Sequence, residues 1–296
     1  METGKVVVEK VADKSTVTRC FSKYPLKFII PRKVGSSQID AVWIYTITYG
    51  GGIVSGDSIS IDITVGEGCT TVLTTQASTK VYKSVGSKRS DQVLQASIGA
   101  NSLLVVIPDP VTCFASSRYS QLQMFNIASE SSLLLVDWIT SGRHESGEKW
   151  DFSLYKSSNQ IFMGDDNPIF LDTILLEHGS VVNIKQHMQD YQVIAMVVLL
   201  GPKLEHVSLQ IQEDVKNIMS QHLHAPSIGG RCHSQMHEDT FSEKPDFIAS
   251  CSVFGPKGMG VIVRIASTTT ESVYNFLRHE LRSMEPLLGI PPYTTK

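Results

Sequence analysis

A group of metal-ligating side chains in the C-terminal third of the chain could bind a metal ion. Its members, which carry imidazole, thiolate or carboxylate groups, are His222, His224, Cys232, His233, His237, Glu238 and Asp239. Imidazole and thiolate ligands suit nickel and zinc. The spacings match no zinc-site pattern, however, and the intervening proline and glycines are typical of a polar loop. Two interpretations therefore remain open, a metal site between His222 and Asp239 or a solvated loop.

The glycine-rich segment that begins at Tyr49 could instead bind a phosphate. Gly51 and Gly56 have the spacing of a P-loop, but Asp57 stands where that motif has its phosphate-binding lysine. A carboxylate there would repel phosphate, and the residues that follow alternate between apolar and polar types, as in a strand with one wet face. No helix follows to present its N-terminus to a pyrophosphate. We therefore interpret these glycines as turn residues that lead into a strand.

The composition of the chain argues against two classes of partner. The 296 residues have a formal net charge of −3 and no concentrated basic run, so the clustered cations that nucleic-acid phosphates require are missing. The longest apolar run, from Val193 to Leu200, is far shorter than the roughly 20 residues that cross a bilayer. We therefore expect neither a nucleic acid nor a membrane as partner.

The cysteines and the N-terminal residues predict the compartment. The five cysteines are odd in number and show no Cys-x-x-Cys spacing, which is typical of reduced thiols in a cytosolic protein. Charged residues interrupt the N-terminal segment too often for the apolar core of a signal peptide. We therefore expect a cytoplasmic protein.

A hydrolase would need an activated nucleophile. The chain has neither a Gly-x-Ser-x-Gly motif nor a His-Glu-x-x-His motif. The enzymatic alternative that remains is a metal-dependent enzyme that uses the cluster between His222 and Asp239.

Strands are predicted to position most of these residues. Between residues 6 and 180, short runs rich in β-branched residues alternate with turn residues such as Pro108-Asp109-Pro110. The intervals between turns are typical of stacked or meandering antiparallel sheets. Because no helical crossovers separate the runs, the pattern argues against a doubly wound α/β fold.

Two segments near the C-terminus have the apolar stripe of a helix. They cover residues 208–223 and 270–288, and Thr270 is the predicted N-cap of the second. Strand patterns flank them, so the order after residue 190 is strand, helix, strand, strand, helix, which predicts a small α+β portion packed on the β portion. Neither a linker nor a sharp shift in composition separates the two portions. We therefore expect a single domain over residues 1–296.

Five separated blocks of the sequence match one protein family in the same order. They are Gly51 to Asp57, Leu73 to Ser84, Pro108-Asp109-Pro110, Gly142-Arg143 with Gly147-Glu148, and Tyr274 to Arg278. The chain resembles the urease accessory protein D family, called H in some bacteria, and its details look like those of a plant member. The family acts in nickel insertion into urease.

The resemblance implies a urease maturation factor that is not an enzyme. The implied fold is mainly β, a β-helical stacking of sheets, with a small α+β portion that carries about two helices near the C-terminus. The implied partners are apo-urease and the accessory protein F, through which the accessory GTPase G is recruited. As a scaffold and metallochaperone, such a protein conducts nickel through an internal tunnel to the urease active site. Nickel is then an ion in transit, and no tightly bound cofactor is expected.

The resemblance also implies which residues line the tunnel. By their match to the family's motifs, they are Asp57, Thr79, Asp137 and Asp172. An ion that must enter and leave favours scattered carboxylates, hydroxyls and water over clusters of thiolate and imidazole, which would trap it. An inward carboxylate beside apolar strand residues is costly to bury without water or a cation. Many bacterial members have Glu where this chain has Asp172, so one implied ligand is shorter here.

Each acidic residue also has a structural interpretation. Asp57 follows a glycine turn and could cap backbone amides. Asp137, in an otherwise apolar strand, could be a buried acid that pairs with Arg143, and Asp172 could lie on the solvent face of its strand. The sequence leaves these alternatives open.

Overall fold

The structure, a computed structural model, describes residues 2–32, 39–164, 167–179, 183–223 and 244–294. Within these ranges the chain forms seventeen strands and four α-helices. The strands up to residue 106 are β1 (Gly4–Val11), β2 (Lys14–Ser22), β3 (Leu26–Ile29), β4 (Ala41–Thr48), β5 (Ser58–Val65), β6 (Thr70–Thr75), β7 (Thr79–Val81), β8 (Ser90–Ile98) and β9 (Leu103–Val106). The later strands are β10 (Val111–Cys113), β11 (Arg118–Ile127), β12 (Ser132–Thr140), β13 (Leu154–Met163), β14 (Asn167–Glu177), β15 (Val193–Leu200), β16 (Phe247–Phe254) and β17 (Gly260–Ser267). The helices are α1 (Ile184–Met188), α2 (Glu205–Leu223), α3 (Thr270–Leu281) and α4 (Glu285–Leu288).

The strands form two sheets that stack face to face. The first sheet has the order β14–β13–β11–β8–β5–β1–β2, and the second has the order β16–β17–β15–β12–β9–β6–β4–β3, with the short strand β10 beside β12 and β7 beside β10. From β4 to β13 the chain passes back and forth between the sheets, so strands of successive turns, such as β8 and β11 or β9 and β12, pair in parallel. This is the winding of a β-helix, and the predicted mainly β fold of stacked sheets is confirmed. The antiparallel pairing expected from the turn intervals is wrong for these strands, because a chain that winds between two sheets re-enters each sheet in the same direction.

Strand β12 shows how the sequence sets the two faces of the second sheet. Leu135 packs between the two sheets, on what we call the inter-sheet face. Leu134, Val136 and Trp138 point the other way and pack beneath α2 and α3, on what we call the helix face. Because both faces are covered, the strand reads as a nearly continuous apolar run. The alternation of side chains along a strand places Asp137 on the inter-sheet face.

The C-terminal part contains the two predicted helices. α2 and α3 pack on the helix face through apolar side chains that include Ile211, Val215, Val273 and Leu277. Strands β15, β16 and β17 extend the second sheet, so the predicted α+β portion shares one sheet with the β-helix. In the described ranges, no helix has an apolar stretch of the length that crossing a bilayer requires.

Two details of the helix predicted over residues 270–288 are wrong. Its N-cap is Thr269 and not Thr270, because the Thr269 hydroxyl accepts a hydrogen bond from the Ser272 amide at 3.2 Å. α3 also ends earlier, at Leu281, and a 3₁₀ turn separates it from α4. Pro286, in the first turn of α4, has no N–H with which a continuous helix would bond the preceding turn.

Candidate functional site

Asp137 lies deep between the two sheets, where it is 6% exposed. Three side chains of the first sheet donate hydrogen bonds to its carboxylate. Ser157 Oγ and Asn159 Nδ2 donate to Oδ2 at 2.6 and 2.7 Å, and Gln121 Nε2 donates to Oδ1 at 2.9 Å. The carboxylate is therefore held in one orientation by neutral donors.

Burial raises the pKa of Asp137, because removal from water disfavours the charged form of a carboxyl group. The three hydrogen bonds act in the opposite direction, and the negative charge of Asp172 raises the pKa further. The net shift is upward, so burial and Asp172 outweigh the three hydrogen bonds in setting the pKa of Asp137. A cation nearby would stabilise the charged form.

Arg143 does not pair with Asp137, so that part of the structural interpretation is wrong. Its guanidinium forms a two-point ion pair with Glu148, with Nε 3.2 Å from Oε2 and Nη2 bonded to Oε1. It also lies over the ring of Phe114, 4.3 Å from the ring centroid. The ion pair lies near the surface and leaves Asp137 to its neutral partners.

The partners of Asp137 belong to a ladder of polar side chains on the inner face of the first sheet. Because β11 and β13 are parallel and in register, Gln121 lies beside Ser157 and Gln123 lies beside Asn159. Gln123 Nε2 donates to Asn159 Oδ1 at 2.9 Å. The Tyr119 hydroxyl donates to Gln121 Oε1 at 3.2 Å. These contacts satisfy polar groups that would be costly to bury alone.

An inner cavity of about 190 Å³ adjoins this ladder between the sheets. Asp137 and Gln121 line one side of it, and Thr79 of β7 lines another. About 10–15 Å³ of free space is enough for one ordered water when polar partners surround it. The inner cavity therefore has room and partners for several water molecules or for a hydrated ion.

A larger outer pocket of about 560 Å³ lies beyond residues 74–78. It shares Asp109 with the inner cavity and is also lined by His144, Tyr274 and Arg278. Asp109 Oδ1 accepts a hydrogen bond from the Tyr274 hydroxyl at 2.8 Å, and the Asp109 amide donates to Thr75 Oγ1 at 2.8 Å. Asp109 is thus an acidic group at the boundary between the two spaces. It was not among the predicted tunnel residues, although its Pro-Asp-Pro block was one of the matching motifs.

Asp172 lies on the inner face at one edge of the first sheet. It stands opposite Asn159 in the antiparallel pair of β13 and β14, and its Oδ1 accepts a hydrogen bond from Arg264 Nη2 of β17 at 2.7 Å. Its side chain is 14% exposed, and Oδ2 has no hydrogen-bond partner in the described part of the chain. The interpretation of Asp172 as a solvent-face residue is therefore wrong.

Asp57 stabilises the glycine turn through hydrogen bonds. Its Oδ2 accepts a hydrogen bond from the Val54 amide at 2.8 Å, and its own amide donates to the Val54 carbonyl at 2.9 Å. Gly50 and Gly51 have φ angles of 78° and 73°, which glycine adopts without strain, and the strand after the turn confirms that this is not a P-loop. Among the described residues, the linings of the two cavities include Thr79 and Asp137 but neither Asp57 nor Asp172.

The predicted metal cluster between His222 and Asp239 lies outside the described residues. His222 is in the last turn of α2, but its side chain is not described, and His224, Cys232, His233 and His237 follow the end of that helix. A metal site there stays a prediction, which the metal content of the purified chain would test.

Comparison with known proteins gives a family for the whole chain. Residues 2–296 match the family described as UreD urease accessory protein. The chain is 61% identical to urease accessory protein D of Arabidopsis thaliana over 293 residues, which are 99% of this chain and 100% of that protein. It is 54% identical to urease accessory protein D of Oryza sativa subsp. japonica, with 98% and 94% of the two chains covered. It is 33% identical to urease accessory protein UreD of Sorangium cellulosum, with 99% and 84% covered.

Proposed function

The chain belongs to the urease accessory protein D family and acts in urease maturation, and we propose that it conducts nickel ions between its two sheets toward the active site of apo-urease. Its relatives are named as accessory proteins and not as enzymes. On this proposal, nickel is the cargo of the protein, and the protein has no tightly bound cofactor.

The position of Asp137 beside the inner cavity carries this proposal. A carboxylate offers about four acceptor sites, and the hydrogen bonds from Gln121, Ser157 and Asn159 occupy three of them. One site remains for a water molecule or an ion in the cavity. Because the carboxylate is buried among neutral groups, a divalent cation would supply the charge that it lacks.

The lining of the inner cavity favours passage over tight binding. The groups next to Asp137 are hydroxyls and amides, among them Thr79, Gln121 and Gln123. Neutral oxygen ligands hold Ni²⁺ less firmly than thiolate or imidazole ligands do. A single buried carboxylate can therefore attract the ion, while its neighbours let the ion leave.

The path continues, on this proposal, past Asp109 into the outer pocket. Asp109 borders both spaces, so it offers a second carboxylate along the way. Movement of the Tyr274 side chain, which bonds to Asp109, would widen the connection. Asp57 and Asp172 stay candidate tunnel residues, and variants that remove only their charge test them.

The partners that we propose are apo-urease and the accessory protein F, with the GTPase G joining through F in the cytoplasm. Support comes from the sheet edges, since an open edge strand presents unpaired backbone groups to another chain. The strands at the two ends of each sheet order carry exposed apolar side chains, namely Phe21 on β2, Leu171 on β14, Ile29 on β3 and Val253 on β16. Such surfaces suit partners that cover them.

The test is urease activation in cells that carry apo-urease, the accessory proteins F and G, and nickel. Without the chain we expect no activation, and Asp137→Ala and Asp137→Asn should lower activation towards that level while the complex still co-purifies. The matched control is Asp190→Ala, which removes a carboxylate that is 82% exposed. Full activation by the Asp137 variants would contradict the ion path. Loss of the complex would show that Asp137 has a structural role.

A further inference from the structure

Three metal-ligating side chains meet where α2 and α3 pack together, away from the proposed ion path. Asp214 comes from α2, and His279 and Glu280 come from α3. One ligand atom from each of them lies within 4.8 Å of the other two. His279 Nε2 is 3.9 Å from Asp214 Oδ2, so the imidazole already faces the carboxylate.

Glu280 is the member of this cluster that packing alone does not explain. It is 1% exposed, and in the part of the chain that the structure describes its Oε2 has no hydrogen-bond partner. A buried carboxylate oxygen without a partner is rare in native proteins, because the group loses its water and gains nothing in return. The neighbouring residues Val273, Phe276, Leu277 and Leu281 form an apolar core that offers no compensation.

The electrostatics of the cluster are those of a site that lacks a positive charge. Burial raises the pKa of Glu280 to about 7, and the negative charge of Asp214 acts in the same direction. A cation between Glu280 and Asp214 would offset this mutual repulsion. The imidazole of His279 favours a transition-metal ion over Ca²⁺ or Mg²⁺, which prefer oxygen ligands.

We propose that Asp214, His279 and Glu280 bind one divalent transition-metal ion of the zinc type, which joins α3 to α2. Three protein ligands with nitrogen and carboxylate donors, and water in the fourth position, form a common zinc geometry. Ligand atoms about 2.0–2.2 Å from the ion lie about 3.3 Å apart in a tetrahedron. The ligand atoms, which lie within 4.8 Å of one another, would have to move closer together, and the His279 side chain is 71% exposed and so has room to move.

The experiment uses the full chain in which His222, His224, His233 and His237 are changed to Ala and Cys232 to Ser, so that the C-terminal cluster cannot bind the probe. Zn²⁺ binding is measured by equilibrium dialysis, and Co²⁺ binding by visible absorption. We expect one ion per chain. His279→Ala and Glu280→Gln should each weaken binding by about tenfold or more, since even partners outside the ligand shell contribute that much.

The matched control is His206→Ala, which removes an exposed histidine from the first turns of α2 without touching the cluster. It should bind the ion like the parent chain. Circular dichroism of the Glu280→Gln and Asp214→Asn variants checks that they fold. Absence of Zn²⁺ and Co²⁺ binding in the parent, or equal binding by the His279→Ala chain, would overturn the proposal.

Discussion

The two faces of the second sheet differ in how far a buried carboxylate finds hydrogen-bond partners there. On the inter-sheet face, Asp137 receives three hydrogen bonds and adjoins a cavity. On the helix face, α2 and α3 pack through apolar side chains such as Val215 and Leu277, and Glu280 has an oxygen without a described partner. Close apolar packing maximises dispersion contacts and burial, whereas a polar layer with a cavity gives up part of both. Around Asp137, the inter-sheet face therefore gives up apolar packing that the helix face keeps, which is consistent with the proposed ion path.

The largest expected effect tests the helix face. Leu277→Ala should lower the free energy of unfolding by about 2–5 kcal/mol, because it removes a fully buried side chain and leaves a cavity. Urea unfolding measures the change. The control is Leu209→Ala on α2, where the side chain is 63% exposed and the expected change is within about 0.5 kcal/mol. Similar costs at the two positions would show that the helices do not cover a packed core.

The next effect tests the polar ladder. Gln121→Met keeps the length of the side chain but removes the donor to Asp137 Oδ1 and to Ser157 Oγ. We expect a loss of about 1–3 kcal/mol near neutral pH, because the buried carboxylate then has an unsatisfied oxygen. Gln95→Met, at an exposed position of β8, is the control in the same unfolding assay. A gain in stability from Gln121→Met would mean that the ladder is not needed to hold the carboxylate.

A pH titration tests the charge of Asp137 itself. Its folded pKa is raised, so between the ordinary value near 4 and the raised value the folded chain binds more protons than the unfolded chain, and stability falls as pH rises. Asp137→Asn does not titrate. The melting temperature of the variant, relative to that of the parent, should therefore rise between pH 4 and pH 8. A difference that stays constant or reverses would show that the carboxylate is not destabilised by burial.

The smallest expected effect is at Asp57, where two variants distinguish a role in the glycine turn from a role in the proposed ion path. Asp57→Asn keeps an acceptor for the Val54 amide, whereas Asp57→Ala removes it and should cost about 0.5–1.5 kcal/mol. If the side chain serves only the turn, urease activation by the Asn variant matches that of the parent. Impaired activation by a stable Asn variant would place the charge of Asp57 on the route of the ion.

Most of the strands were predictable because their apolar residues repeat every second position or fill a whole buried strand. The apolar run of β12 and the alternation of β5 are examples. Strand β13 was different, since five polar residues at positions 156–160 interrupt a strand that covers Leu154–Met163. Ser157, Ser158 and Asn159 conceal its pattern because they are polar and buried. The polar residues that line the interior therefore made β13 hard to predict from the sequence.

The site was predictable only in part, because the β-helical winding brings together residues that are far apart in the sequence. The anomalous character of Asp137 was visible in the sequence, because a lone carboxylate interrupts an apolar run. Its partners were not, since Gln121 and Asn159 reach it from other turns of the β-helix, 16 and 22 residues away along the chain. No spacing pattern within a short segment of the sequence predicts these contacts. Asp109 shows the same limit, because its contact with Tyr274 joins positions 165 residues apart.

The in-register pairing of β11 with β8 and β13 decides which of its side chains point into the interior. Tyr119, Gln121 and Gln123 point inward because they share one parity, while Leu122 and Met124 are partly exposed on the other face. A deletion of one residue before Tyr119 would keep the strand and reverse its faces. The amides would turn to solvent and Leu122 would fill the cavity. The proposed ion path could thus be closed by a change of one residue in length, without a substitution of any residue that lines it.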